Sequence, residues 1–177
     1  MWRRSAPPTR DAPPGIDFGW RVHVAIQEWT KSVDQKASII LVFSVALATL
    51  AGREVFNATG GLHDASGARL WLVRAMGLAF ATSAALATSV VLPHLRRRRA
   101  RREAPSGLVF FGHLRHRSVT DIERQLRTLD HDEALGQLAR QLKATSAIAW
   151  RKHARLQLAM FALLIASALF GIARLAV

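Results

Sequence analysis

Three groups of side chains in this sequence have types and spacing that could do chemistry. Asp34 and Lys36 stand two residues apart, directly before a charge-free apolar run. Arg151, Lys152 and His153 form a basic cluster shortly before another such run. His113 and His116 make an HxxH pair with Arg115 between them and Phe111 just upstream. Such a pair could gather a metal ion with His131 or His153. No HExxH accompanies it, and no nucleophile elbow, phosphate loop or dinucleotide fingerprint occurs. The histidines are therefore read as ordinary polar side chains and the chain as a non-enzyme, with no catalytic residue, metal or cofactor. The absence of cysteine removes disulfides, thiolate nucleophiles and cysteine-ligated metals from consideration. The two charged clusters have a plain role as interfacial anchors whose aliphatic stems snorkel. They also have a sharper one: at equal depth on two helices, they could be bridged by a small anion that changes how the helices pack.

The elements that must position these groups are set by hydrophobic segregation. Half of the 177 residues are apolar, yet the formal charge is +13, so apolar residues are collected in blocks instead of being spread over amphipathic elements. Residues 37–52 carry no charge between Lys36 and Arg53, residues 75–95 carry none after Arg74, and residues 156–173 carry none between Arg155 and Arg174. At about 1.5 Å per residue, blocks of this length match a hydrocarbon core of about 30 Å, with snorkelling at the shortest. The expected fold class is all-α, an integral membrane helical protein with about three spanning helices.

Loop charge gives the orientation. Residues 96–102 hold six arginines directly after the second block, whereas the connection 53–69 balances Arg53 and Arg69 with Glu54 and Asp64. Arginine is retained on the cytoplasmic side, so the N-terminus and residues 96–155 are placed in the cytoplasm of a bacterium and the multi-pass chain in its inner membrane. No secretory signal is expected, since the first thirty residues lack an apolar core segment. The arginine run is read as topogenic and lipid-facing, with the bilayer and not nucleic acid as its partner.

The expected organisation is a flexible Pro/Arg-rich segment at 1–19, an amphipathic helix over 20–52 whose first span is 37–52, and an external loop at 53–69. A second span follows at 70–95, then a basic cytoplasmic helical region at 96–155 and a third span at 156–173. The stripe Val22, Ile26, Trp29, Val33 and Ala37 continues the first helix below its span. Ser118 with Asp121 resembles a capping box opening a helix through Leu129, and residues 130–132 turn into a long final helix. Those two helices are expected to form an antiparallel hairpin against the stem near Trp29.

Taken in order, VDQKASIILVFS at 33–44, VFFGH at 109–113 and QLARQLKATSAIAWRKHARLQLA at 137–159 resemble the membrane effectors of Pycsar, the bacterial pyrimidine-cyclase antiphage system. The resemblance implies an effector that binds cyclic CMP or cyclic UMP from a partner cyclase, impairs the inner membrane and causes abortive infection, acting as a homo-oligomer. Asp34, Lys36, Phe111, His113, Arg115, Arg151, Lys152 and His153 are the candidate ligand residues: an aromatic face suits a base and cationic donors suit a cyclic phosphate. The alternative is a structural or accessory membrane protein whose cytoplasmic helices hold a protein partner.

Overall fold

A computed structural model describes residues 14–59, 67–92, 108–109 and 114–175. Among these, the ordered elements are helices and there is no strand: α1 (Pro14–Thr59), α2 (Gly67–Val91), α3 (Val119–Thr128) and α4 (His131–Leu175). Helices α1, α2 and α4 are each long and apolar enough to cross a membrane. The all-α membrane architecture expected from the apolar blocks is the one observed.

Helix ends differ from the sequence reading for local reasons. α1 begins at Pro14, inside the stretch read as flexible, because proline's fixed φ suits a first helical position and Asp17 in the first turn complements the helix dipole while pairing with Arg21. It then runs to Thr59, past residue 52, since no glycine or proline interrupts residues 53–59 and Glu54 is held by Arg174. α2 opens three residues early, at Gly67, whose φ of 59° lies in the left-handed region that favours glycine. It stops at Val91, two residues ahead of Pro93, whose ring disfavours helix in the residue before it. Ser118 accepts a hydrogen bond from the Asp121 amide at 3.1 Å, as the capping box requires, and Asp130 Oδ1 accepts one from the Glu133 amide at 2.7 Å to open α4.

The chain divides into two compact units, Met1–Trp29 with His94–Ala149, and Thr30–Pro93 with Trp150–Val177. In the second unit, α1 and α4 run parallel and α2 runs against both. Three layers show this: Val33, Ala37, Val90 and Leu156; then Ser44, Ser83 and Ala159; then Ala51, Met76, Phe80 and Ala166. Small residues fill the inside, with Ala37, Ala87, Ala159 and Ala166 fully buried. Large ones, such as Val42, Leu78, Phe161 and Leu164, face outward. In lipid there is no hydrophobic drive between helices, so close approach over small residues and interhelical hydrogen bonds hold the bundle. The middle layer supplies such bonds: Ser44 and Ser83 hydroxyls lie 2.8 Å apart, and Ser83 donates to the Ala159 carbonyl at 2.9 Å.

The buried face of α1 keeps Ile26, Val33 and Ala37 of the expected stripe but not Trp29. Positions 19, 23, 26, 30, 33, 37, 40, 44, 47 and 51 are buried or half-buried, an alternation of four and three that averages 3.5 residues and gives a coiled-coil seam. On α4 the same alternation runs from Leu138 through Leu142, Thr145, Ala149, Lys152, Leu156 and Ala159 to Leu163 and Ala166. Trp29 falls off the α1 seam and is 62% exposed. Apolarity alone selects Trp29, but the seam takes His23 and Thr30, small or hydrogen-bonded groups that allow close approach. In the first unit the contact is accordingly at Gly19, where a Cβ would meet Leu138 Cδ2 at 2.5 Å. α3 contributes no fully buried residue, with Ile122 half-buried and Leu126 mostly exposed, and the close α1–α4 contact of this unit is Gly19 with Leu138, not one at the exposed Trp29.

Candidate functional site

Among the described candidate residues, the structure pairs Asp34 with Lys152. Lys152 on α4 donates from Nζ to both carboxylate oxygens of Asp34 on α1, at 2.6 and 2.8 Å. The seam explains why. Lys152 occupies a seam position between Ala149 and Leu156, and Asp34 is the neighbour of buried Val33, so both charges are drawn to the α1–α4 contact just above its first apolar layer. Their side chains are 22% and 36% exposed: water and small solutes reach them. The Asp34 backbone carbonyl also accepts a bond from Ser38 Oγ at 3.0 Å.

Further basic side chains lie close by along the two helices. Lys36 is exposed two residues along α1, and Arg151 and His153 flank Lys152 on the exposed side of α4. Arg155, one turn further into the helix, donates to the Ser89 carbonyl at 3.4 Å, placing a cation against the last turn of α2, where the helix dipole is negative. Arg155 was not among the candidates, being read as the bracket of an apolar run; its role is to tie α4 to α2 at the depth where Lys152 ties it to α1. Arg115 is exposed on the turn before α3 in the first unit. Phe111 and His113 lie outside the described residues, as does the arginine run at 96–102.

The opposite end of the bundle carries a second cross-helix pair, Glu54 with Arg174. Asp34 and Glu54 are twenty residues apart on α1, and Lys152 and Arg174 twenty-two on α4. At 1.5 Å per residue both separations are about 30 Å, the thickness of the hydrocarbon core. The ion pairs thus bracket a bilayer-sized apolar section. Among the described residues no group of three His, Asp or Glu is placed to hold a metal ion.

A family model, the Pycsar effector protein domain (PycTM), matches residues 18–177. The chain belongs to the Pycsar effector family. It is therefore a membrane effector of antiphage defence, with three helices long and apolar enough to cross a membrane. No match was found among curated proteins or among solved structures. In this Pycsar effector the Asp34–Lys152 pair unites two of the three sequence segments that carry the family likeness, 33–44 and 137–159.

Proposed function

We propose that this Pycsar effector is a non-enzymatic receptor and executioner, activated by cyclic CMP or cyclic UMP from a partner cyclase. Activation impairs the inner membrane, and the infected cell is lost before phage can spread. The N-terminus and residues 96–155 face the cytoplasm, where the nucleotide accumulates, and the chain works as a homo-oligomer. The observation that carries this reading is the accessible Asp34–Lys152 pair, set among Lys36, Arg151 and His153 where α1 and α4 enter the apolar section. A monoanionic cyclic phosphate suits that field, and a change there acts on the helices that cross the membrane. Arg115, Phe111 and His113 are proposed as ligand residues on their chemistry alone, since an aromatic face suits a base and cationic donors suit a phosphate.

The test is a titration of purified, detergent-solubilised full-length protein with labelled cyclic CMP and cyclic UMP. Saturable binding of one of them, competed by its unlabelled form but not by cyclic AMP, supports the proposal; no binding of either defeats it. The second reading, a protein that holds a partner, is favoured by one feature. α3 presents an apolar face of Val119, Ile122 and Leu126 beside Glu123 and Arg127. That reading requires a partner that stays bound whether or not nucleotide is present.

A further inference from the structure

The Asp34–Lys152 contact has the form of a site already filled by the chain itself. One carboxylate takes two of the three donors of the Lys152 ammonium, at 2.6 and 2.8 Å. A phosphodiester monoanion offers the same pattern: two equivalent oxygens on one atom sharing one negative charge. With the carboxylate turned away, the Lys152 ammonium is left without its anion, in a stretch of the two helices whose other charged side chains, Lys36, Arg151 and Arg155, are all cationic, a balance that favours an incoming anion. Asp34 is exposed enough to turn into water, whereas Lys152 is the less exposed partner, held in the α1–α4 seam. The acid is thus the member of the pair that can leave.

We infer that Lys152 is a phosphodiester-accepting site held shut by Asp34, so that a ligand phosphate and the Asp34 carboxylate compete for the same ammonium. Displacement unties α1 from α4 directly above the layer of Val33, Ala37, Val90 and Leu156. Below it lies a polar layer free to re-pair. Ser44 and Ser83 bring two hydroxyl protons to three contacts, Ser44 to the Ile40 carbonyl, Ser44 to Ser83, and Ser83 to the Ala159 carbonyl. The cyclic nucleotide proposed above and net-anionic lipid head groups beside the span entrance are both sources of an uncompensated phosphodiester, whereas the phosphate of phosphatidylcholine is neutralised by its own choline. The inference rests on the nucleotide reading only for which of them is used.

The experiment is dye leakage from vesicles carrying the reconstituted full-length chain. One arm uses phosphatidylcholine vesicles with added cyclic CMP or cyclic UMP, the other phosphatidylglycerol-containing vesicles without nucleotide. In whichever arm the unaltered chain leaks, Asp34→Asn should reach half-maximal leakage at about five- to tenfold less phosphodiester, and Lys152→Gln should need correspondingly more. Opposite signs support the latch. Equal signs overturn it, because a pair that only ties the bundle weakens alike from either side. Leakage in the phosphatidylglycerol arm alone keeps the latch and overturns the nucleotide reading, and leakage in neither arm overturns both. If Lys152→Gln does not fold, Asp34→Glu keeps the test open: it should behave as the unaltered chain while Asp34→Asn is sensitised, and a desensitised Asp34→Asn contradicts the latch.

Discussion

Gly19 shows how a single position decides the approach of two helices. A methyl there would stand 2.5 Å from Leu138 Cδ2 and 3.2 Å from its Cγ, and Leu138 is itself buried. Overpacking of that kind costs about 1–3 kcal/mol, against about 1 kcal/mol gained in helix propensity. Gly19→Ala should therefore lower stability by about 1 kcal/mol. Gly52→Ala, with nothing within 4 Å, should leave it level or raise it by up to about 1 kcal/mol; thermal unfolding in detergent followed by circular dichroism compares the two. The serines make a second residue-scale case. Ser83→Ala removes the hydroxyl that joins α2 to both neighbours, whereas Ser44→Ala leaves the bond from Ser83 to the Ala159 carbonyl intact. At about 0.6 kcal/mol for an interhelical hydrogen bond in a membrane, Ser83→Ala should destabilise the bundle about twice as much as Ser44→Ala in denaturant titrations.

At the scale of elements, α3 and α4 open with the same device but depend on it differently. α3 has ten residues and none buried, too few to persist on propensity alone, so the Ser118 cap is a large share of its support. Ser118→Ala should cost about 1 kcal/mol and raise amide exchange across Val119–Thr128, while leaving α4 unchanged; equal protection with and without the cap would contradict this. The Ser118 cap was legible in the sequence, because Ser, Asp and their spacing act locally, whereas Asp130, the cap of α4, was legible only as part of a turn. The three spans were legible for the same reason, as charge-free blocks of bilayer length. The seam was not fully legible. Choosing the largest apolar residues put Trp29 on the buried face in place of His23 and Thr30, since small and polar residues carry no hydrophobic signal although they set how closely helices meet. The two charge clusters were legible as neighbours at one depth, but the pairing of Asp34 with Lys152 depends on which side of each helix faces inward, and that follows from the seam. Arg155 was hidden likewise: a bracket in sequence, it is a tie to the Ser89 carbonyl in space.

For the whole molecule, topology and gating are the properties to test. The chain lacks cysteine, so one introduced at a time reports sidedness cleanly. A cysteine replacing His63, between α1 and α2, should react with a membrane-impermeant maleimide added outside spheroplasts, and one replacing Ala100 should react only after lysis. The reverse pattern would place the arginine run outside and remove the cytoplasmic ligand from reach of the candidate site. The central claim is that a membrane body bracketed by two ion pairs is opened by a cyclic pyrimidine nucleotide. It is tested most directly by entry of a membrane-impermeant DNA dye into bacteria expressing this effector beside a pyrimidine cyclase whose activity can be switched on. Dye should enter only when effector and active cyclase are both present, and Lys152→Gln should reduce the entry at equal expression. Entry without cyclase, or exclusion of dye despite accumulated cyclic CMP or cyclic UMP, would contradict a nucleotide-gated effector.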